Sequence, residues 1–450
     1  MAIDTVVFVP GICGSVLMHG GETVWPGTPW NVAFKSYPDE YVQLLATSPD
    51  LRATDVLRSV SLTVLGIDLH HFDGYQRALD ALEGMKFREN GGTLIPFAYD
   101  WRRDIRVSAE SLKTRLAAPE LAGRRVAIVA HSMGGLVSRY MLEKLGPPAG
   151  VRIELCVLVA VPHLGAPVAL QNILGLRPEI FLTGAQCKVA LRSTDYPSAY
   201  QLLPRLGVPA LLEASAATGF EQRDPYQADV AQHLGLVAGS LAAAHALGAS
   251  LDPIGPGFKP PCRYVAIAGN AQKTVTANYL DLKAGAQPVE EATAGDGTVP
   301  LWSSAPPGIP VRYVAAAHGS MFSDTDVVAM LQAVLRPGTP GGRLFNLEPS
   351  VIAPELSVQP LAPSVEAGQT LTVAIVADRP AARIDAVLHV EHLFADRKEA
   401  QDVPIHYEGG LLRSLSIDLT APAEAAVMRI NVAATGRAVS GDTTVLVLPR

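Results

Sequence analysis

Apolar residues along the first 340 positions occur in short, nearly continuous runs that alternate with helical stretches. The runs richest in β-branched residues are bounded by turn residues and lie at Thr5–Val9, Thr93–Tyr99, Arg125–Ala130, Glu154–Val161, Arg263–Ala268 and Val311–Ala316. Such runs are typical of strands covered on both faces. Helical periodicity appears between them, at Ala109–Ala118, Leu136–Leu145 and Asp324–Leu335. This alternation predicts an α/β fold with a mainly parallel central sheet.

Two stretches interrupt the alternation. The residues between Pro167 and Pro261 contain many Leu, Ala and Pro but no clear βα repeat. An insertion this long inside a βα unit is usually a functional cap, so we predict a cap at about 168–261. The second irregular stretch is 20–50, which contains two tryptophans.

After Arg336 the pattern changes to an alternation of apolar and polar residues. The segment 337–342 is rich in proline and glycine, which predicts a linker. Alternating segments then recur at regular spacing, at 371–376, 386–390, 415–419, 428–432 and 443–448. We therefore predict two domains, a larger α/β domain at 1–340 and a small β-sandwich of immunoglobulin-like type at 350–450.

Composition excludes several classes of protein. With 48% hydrophobic and 18% charged residues, the chain is too apolar to be disordered. The formal net charge is −7, so the composition gives no sign of a basic surface, and we expect no nucleic-acid partner. Segment 230–251 has no charged residue, but polar residues interrupt it, which favours a buried or mobile helical segment over a membrane span.

Targeting and cofactor motifs are also missing from the sequence. Met1–Asp4 has no basic segment before the first apolar run, so we expect no signal peptide and a cytoplasmic location. The four cysteines form no C-x-x-C pair, and the adjacent His70 and His71 diverge, so we expect no metal and no cofactor. Arg102, Arg103 and Arg106 could contact a phosphate, with a solvated helix start as the alternative.

One short segment has the pattern of a nucleophile elbow, the tight turn that presents a catalytic serine. The strand-like run 125–130 leads into 131–134 and then into a helical stretch. The order small residue, x, Ser, x, Gly fits the elbow around Ser132, with Ala130 where a glycine is usual. The alternative is a chance match in a chain rich in alanine and glycine.

A nucleophilic serine needs a base, and the base needs an orienting acid. In chains with this elbow the order is serine, acid, histidine. Asp296 lies between glycines, in a loop that follows the predicted 263–268 strand in the chain. His318 follows the 311–316 strand, at the edge where open α/β sheets bind ligands. We therefore predict Ser132, Asp296 and His318 as a catalytic triad.

Other residues compete for these roles. His163 also follows a strand, but it precedes every plausible acid in the chain. Asp281 and Asp324 are alternative acids that lack the flanking glycines.

Acyl transfer also needs donors for the oxyanion of the tetrahedral intermediate. One donor should be the amide of the residue after the nucleophile, Met133. The second should come from the glycine-containing turn after the first strand, where we predict the Ile12 amide, with Cys13 as the alternative. A plain tight turn at Pro10 and Gly11 is the remaining explanation.

The sequence resembles the lecithin:cholesterol acyltransferase family, which includes lysosomal phospholipase and phospholipid:diacylglycerol acyltransferase. The resemblance lies in four blocks, namely 6–11, the Tyr-Asp-Trp-Arg tetrapeptide at 99–102, the elbow, and 295–299 with 318–321. It implies an α/β-hydrolase core, the residues predicted above as triad and oxyanion hole, and an acyl-ester lipid substrate. It also implies an aromatic lid, in which Trp25 or Trp30 would contact substrate, with a packed core tryptophan as the alternative.

These features together predict a serine acyl hydrolase, that is a lipase, phospholipase or esterase. Two alternatives remain, an O-acyltransferase that passes the acyl group to an alcohol, and a non-catalytic scaffold that uses the C-terminal β-sandwich. The expected partners are an acyl-ester lipid, a transiently contacted membrane surface and a protein that binds the C-terminal domain. We expect the uncharged segment 230–251 of the cap to provide the apolar surface for the lipid chain.

Overall fold

The structure is a computed structural model. At the centre of the fold lies a six-stranded, fully parallel sheet. The residues described are 3–34, 36–64, 67–214, 221–251, 258–281, 285–306, 309–336, 356–362, 364–434 and 441–449. The sheet contains, in chain order, β1 (Thr5–Val9), β7 (Leu94–Pro96), β8 (Arg125–His131), β9 (Arg152–Val159), β12 (Arg263–Gly269) and β15 (Val311–Val314). The spatial order is β15-β12-β9-β8-β1-β7, and every neighbouring pair is parallel. Each predicted strand is present, and the predicted α/β fold with a parallel sheet is confirmed.

Both faces of this sheet are buried, as its apolar runs require. Val7 and Val9 of β1 belong to one buried cluster, and Val6 and Phe8 belong to the cluster on the opposite face. The helices of the chain are α1 (Pro29–Phe34), α2 (Asp39–Thr47), α3 (Gln76–Gly84), α4 (Ile105–Leu116), α5 (Met133–Tyr140), α6 (Val168–Leu174), α7 (Gly184–Leu191), α8 (Pro197–Tyr200), α9 (Ala228–Leu234), α10 (Ala238–Ser250), α11 (Leu301–Ser304) and α12 (Thr325–Leu335). Helices α4 and α5 cover the first face, and α3 and α12 cover the second.

Local signals explain where several helices begin and end. Asp104 precedes α4 and accepts a hydrogen bond from the Arg106 amide at 2.8 Å, and Thr183 forms a capping box with Gln186 at the start of α7. Helix α4 therefore begins before the predicted 109–118. Short 3₁₀ helices lie at Pro119–Leu121 and His318–Ser323, and a π-helical turn at Met141–Leu145 extends α5.

The predicted cap region is mainly helical. It contains α6 to α10 and two short strands, β10 (Leu211–Glu213) and β11 (Glu221–Arg223). The uncharged segment forms most of α9 and α10, and α10 packs on α8. Within the described part of the chain, no helix is both long and apolar enough to cross a bilayer.

A second sheet lies beside the cap and was not expected from the sequence. It joins β11 and β10 to a hairpin of β13 (Gln272–Asp281) and β14 (Gly285–Gly295), in the order β11-β10-β13-β14. Smaller antiparallel strands occupy the other irregular stretch and its surroundings, namely β2 (Ser15–His19), β3 (Glu22–Trp25), β4 (Arg52–Val56), β5 (Ser59–Val64) and β6 (Ile67–Asp73).

Where the structure describes the C-terminal region, its regular elements are all strands, and they have a buried core of their own. Its strands are β16 (Leu356–Pro360), β17 (Ser364–Glu366), β18 (Thr370–Leu393), β19 (Lys398–Thr420), β20 (Ala426–Ala434) and β21 (Gly441–Leu448). The long strand β18 pairs with β16 near its beginning and with β20 near its end, and β16 packs against β20 and β21 without pairing with them. This arrangement agrees with the predicted β-sandwich. The segment 337–355, which includes the predicted linker, lies outside the described residues.

Candidate active site

Ser132 occupies the turn between β8 and α5, as the elbow pattern predicts. Its backbone has φ 53° and ψ −129°, a conformation that is costly for a residue with a side chain and that is found where structure holds it in place. The Ser132 amide donates to the Val159 carbonyl at 2.9 Å, and the Ser132 carbonyl accepts from the Gly135 amide at 2.9 Å. The turn is therefore fixed to β9 on one side and to its own helix on the other.

Close packing explains the glycine two positions after the serine. A Cβ on Gly134 would lie 2.3 Å from the Pro10 carbonyl oxygen and 2.5 Å from the Val9 carbonyl oxygen. Both contacts are with backbone, so any side chain would push α5 away from β1. Gly134 is thus required by the approach of the helix to the first strand.

The structure brings Ser132, His318 and Asp296 into one hydrogen-bonded chain. His318 Nε2 lies 3.0 Å from Ser132 Oγ, and His318 Nδ1 lies 2.7 Å from Asp296 Oδ2. The other carboxylate oxygen of Asp296 accepts the amides of Thr298 at 2.9 Å and Val299 at 2.7 Å. With the carboxylate held in this way, Nδ1–H donates to Asp296, and Nε2 is free to accept the serine proton.

The glycines around Asp296 have separate physical reasons. Gly297 has φ +93°, which a side chain would strain, and its amide donates to Thr274 Oγ1 at 2.9 Å. A Cβ on Gly295 would lie 2.3 Å from the Val299 carbonyl oxygen. The loop follows β12 in the chain, and the β13–β14 hairpin, which was not predicted, lies between them.

Burial and neighbouring carboxylates together determine the pKa of His318. Burial acts to lower the pKa of His318, but the adjacent Asp296 carboxylate outweighs it, and Glu179 adds to the same effect. The pKa of His318 is consequently raised above the ordinary value for histidine. The imidazolium that forms when His318 takes a proton is therefore stabilised by its surroundings.

The competing residues are placed elsewhere. His163 is buried, and its Nδ1 faces Arg139 Nη1 at 3.3 Å. Burial, reinforced by nearby arginines, lowers the pKa of His163 well below its usual value. Asp324 is the N-cap of α12, where it accepts the amides of Asp326 and Val327, and Asp281 ends β13. Among the described contacts, none joins these three residues to Ser132.

The turn after β1 lies directly against Ser132. A Cβ on Gly11 would be 2.8 Å from Ser132 Cβ, and Ile12 and Cys13 line the cavity that opens in front of Ser132. Met133 is the first residue of α5, where an amide has no acceptor within the helix. The structure thus places the predicted oxyanion donors on two sides of the serine, while the choice between Ile12 and Cys13 stays a prediction.

The Tyr-Asp-Trp-Arg block supports this turn from behind. Tyr99 Oη donates to the Pro10 carbonyl at 2.8 Å, and Trp101 Nε1 donates to the Ser15 carbonyl at 2.9 Å. Arg102 is buried and forms a two-point ion pair with Asp100. The structure therefore supports neither of the two roles considered for Arg102, a phosphate contact or a solvated residue at a helix start.

A cavity of about 410 Å³ opens above Ser132 and His318. Its apolar wall comes mainly from the first half of the cap, with Ala166, Val168, Ala169, Leu182, Leu191 and Leu202. The segment 230–251, expected to supply this wall, contributes no residue to it. That segment instead packs against the outer helices of the cap, where Tyr200 Oη accepts the Val237 amide at 3.2 Å.

The two tryptophans predicted as substrate contacts have different outcomes. Trp25 is fully buried, donates from Nε1 to the Cys13 carbonyl at 2.8 Å, and stacks edge-on with Trp101 and Tyr37. Trp25 does not line the cavity. The alternative interpretation, a packed core tryptophan, is therefore correct, and the predicted substrate contact at Trp25 is wrong. Trp30 lies in α1, but its side chain is outside the described residues.

Three residues near the site were not predicted. Glu179 and Asn172 line the cavity and hydrogen-bond to each other, while Tyr75 contacts His131, the residue before Ser132. Glu179 lies in an irregular stretch with no motif, and Tyr75 precedes α3 far from the elbow. Only the position of His131, adjacent to Ser132, could have drawn attention in the sequence.

The structure also bears on metal binding. Over the residues that it describes, no three His, Cys, Asp or Glu side chains come together as metal ligands. The side chains of His70 and His71 lie outside the described set.

Comparison with known protein families covers two of the four sequence blocks, the tetrapeptide at 99–102 and the Ser132 elbow. Residues 37–217 match the family model for lecithin:cholesterol acyltransferase. A phospholipase A(1) of Arabidopsis thaliana, LCAT3, is 30% identical over 195 residues, which are 41% of this chain and 40% of that relative. This chain therefore matches less than half the length of its curated relative.

Likenesses among solved structures are distant. A lipase of Bacillus licheniformis in its mature form is 14% identical and has a TM-score of 0.37, with 74% of this chain and 92% of that chain covered. Phospholipase PlaB of Legionella pneumophila is 10% identical, covers 98% of this chain and 91% of that chain, and has a TM-score of 0.25. The matched family region contains the tetrapeptide at 99–102 and the Ser132 elbow. The predicted resemblance to the lecithin:cholesterol acyltransferase family is thus confirmed over residues 37–217.

Proposed function

We propose that this chain is a serine acyl hydrolase that acts on acyl-ester lipids, with Ser132 as nucleophile, His318 as general base and Asp296 as orienting acid. The observation that carries the proposal is the hydrogen-bonded chain from Asp296 through His318 to Ser132, which opens into an apolar cavity. The family match supports the substrate class, and the name of the phospholipase A(1) relative points to a phospholipid ester.

In the first half of the reaction, Ser132 Oγ attacks the ester carbonyl carbon while His318 Nε2 takes the hydroxyl proton. Negative charge develops on the carbonyl oxygen, where the amides of Ile12 and Met133 donate to it. Each such donor contributes about 3–4 kcal/mol to lowering the barrier. Collapse of the intermediate expels the alcohol, which takes the proton from His318 and leaves an acyl-enzyme.

In the second half, a new nucleophile attacks the acyl carbon while His318 again accepts a proton. The bond from the acyl carbon to Ser132 Oγ then breaks, and Oγ takes the proton back from His318. Water gives a free fatty acid, and an alcohol gives a new ester. The distinction depends on which of the two reaches the acyl group in the cavity. We propose water as the acceptor, because the relative that matches part of this chain is named as a phospholipase A(1).

Product analysis tests this proposal. Vesicles of a diacyl phospholipid are incubated with the protein, with and without a long-chain alcohol, and the products are compared with those of Ser132→Ala. We expect free fatty acid in both conditions, formed only by the wild-type chain. An ester of the added alcohol as the main product would favour the acyltransferase. If neither product forms and a fluorophosphonate probe does not label the chain, the protein is a binding module instead.

The pH dependence of activity should respond to Glu179. The base must be neutral to accept a proton, so activity falls as the pH drops through the pKa of His318. Burial lowers that pKa, Asp296 raises it more strongly, and Glu179 adds to the increase. Glu179→Gln removes a negative charge, so the pKa of His318 falls and the acid limb of kcat/KM moves to lower pH.

The measurement is the pH profile of kcat/KM for the wild type and for Glu179→Gln. Glu110→Gln, an exposed position on α4, is the control and should leave the profile unchanged. The charged or titratable groups that act on His318 include Asp296, Glu179 and His131. A Glu179→Gln profile that moves to higher pH contradicts the assignment of His318 as the base, whereas an unmoved profile means that Glu179, whose pKa is raised by burial, is protonated at that pH.

A further inference from the structure

His131, the residue before the nucleophile, links two parts of the site that come from opposite ends of the α/β region. Its Nε2 lies 3.1 Å from the carbonyl oxygen of His318, and its Nδ1 lies 2.8 Å from Tyr75 Oη. The same hydroxyl accepts the Gly11 amide at 2.9 Å. A continuous chain of hydrogen bonds therefore runs from the turn after β1 to the backbone of His318.

The chemistry of the partners fixes the direction of every bond in this chain. The His318 carbonyl can only accept, so His131 Nε2 carries the proton. A neutral imidazole with its proton on Nε2 has an accepting Nδ1, so the Tyr75 hydroxyl donates to it. The Tyr75 oxygen then accepts from Gly11, whose amide can only donate. Each polar atom has one partner of the correct type.

His131 has to remain neutral for this pattern to persist. Its side chain is buried, and its ring centre lies 4.7 Å from that of His318. Burial, together with the charge on His318, lowers the pKa of His131 well below the usual value. A positive charge on His318 during the reaction therefore meets a neutral neighbour.

Contacts with Ser132 and Tyr75 restrict the turn after β1. A Cβ on Gly11 would lie 2.8 Å from Ser132 Cβ and 3.1 Å from Tyr75 Oη. The Gly11 backbone therefore packs tightly between Ser132 and the Tyr75 hydroxyl. The Tyr75 ring is itself held edge-on against Phe8 of β1, with centroids 5.2 Å apart. Because the Gly11 amide donates to Tyr75 Oη, it is not free to donate to the oxyanion.

We propose that Tyr75 and His131 are positioning residues. They hold the oxyanion turn, residues 10–14, in a fixed position relative to the catalytic base His318. The inference rests on the proposed function, since it assigns these residues to the same site. The turn and the base act together only when charge develops in the transition state. Loss of the link should therefore lower kcat and leave KM nearly unchanged.

Three substitutions cut the link at different points. Tyr75→Phe removes both bonds of the hydroxyl and keeps the ring. His131→Asn keeps an acceptor near the Nδ1 position, and His131→Gln keeps a donor near the Nε2 position. We expect Tyr75→Phe to lower kcat, and the rate of fluorophosphonate labelling, roughly 10- to 100-fold, with KM within about twofold of wild type. Each His131 variant should lose less than Tyr75→Phe.

Tyr37→Phe is the matched control. Tyr37 Oη donates to the Val24 carbonyl at 2.6 Å in the buried core, away from the cavity. This variant loses one buried hydroxyl, so it should lower Tm without changing kcat. A purely structural role of Tyr75 would give the same result.

The double variant Tyr75→Phe with His131→Asn tests whether the residues act as one unit. We expect its kcat to match that of Tyr75→Phe alone, because one cut already breaks the link. The inference is overturned if Tyr75→Phe keeps kcat and labelling within about twofold of wild type, or if the two losses multiply. Failure of the proposed function would look different, because the wild-type chain itself would neither turn over ester nor be labelled.

Discussion

Replacing Ser132 by alanine is expected to abolish fluorophosphonate labelling and to lower kcat for ester hydrolysis about 10⁶-fold. The substitution removes only Oγ, the atom that lies 3.0 Å from His318 Nε2 and that would carry the acyl group. Binding of the lipid in the apolar cavity does not depend on this atom, so the dissociation constant for vesicles should change little. The measurements are single-turnover kinetics and labelling of the two proteins side by side.

A second serine on the same helix provides the control. Ser138 is fully buried in α5 and donates from Oγ to the Gly134 carbonyl at 2.8 Å. Ser138→Ala should retain labelling and most of its turnover, with a stability loss of about 1 kcal/mol. Labelling of Ser132→Ala at the wild-type rate would mean that the nucleophile is another residue.

Replacing Asp296 by asparagine should lower kcat roughly 10⁴-fold, because it forces His318 into the wrong tautomer. One carboxylate oxygen of Asp296 accepts the amides of Thr298 and Val299, and this pair of donors requires an oxygen. The asparagine must therefore turn its NH₂ group toward His318 Nδ1. A donor at that position leaves Nδ1 without its proton and places the proton on Nε2, which can no longer accept one from Ser132.

The same substitution should also lower the pKa of His318. Burial already acts in that direction, and the Asp296 carboxylate is the main influence that opposes it. Residual activity of Asp296→Asn should therefore persist to lower pH than that of the wild type. Asp324→Asn is the control, because Asp324 caps α12 and contacts amides only. If Asp296→Asn stays within about tenfold of wild-type kcat, another acid orients the base.

Strands and the nucleophile turn could be predicted because their signals are local. The apolar runs coincide with β1, β8, β9 and β12 to within a few residues, since a strand buried on both faces needs such a run whatever its neighbours are. The elbow is equally local, because the φ of Ser132 and the space around Gly134 are set within a few residues. Glycines on both sides of Asp296 likewise marked a loop that only glycine can form.

The β13–β14 hairpin was missed because its pattern is irregular. Register shifts between Gln272 and Thr274, and between Val275 and Ala277, break the period of two that reveals a half-buried strand. The apolar wall of the cavity was assigned to 230–251 on composition alone. Composition reports how apolar a segment is, but it does not report which element the segment faces.

The sequence by itself determined the parallel sheet, the family resemblance and the order of Ser132, Asp296 and His318, because each depends on spacing along the chain. Only the tertiary structure decided what surrounds them. It placed Trp25 in the core instead of the cavity, brought Glu179 toward His318, and joined Tyr75 to His131. These contacts join residues far apart in the chain, and they arise from how helices and loops pack across the sheet, which no local pattern specifies.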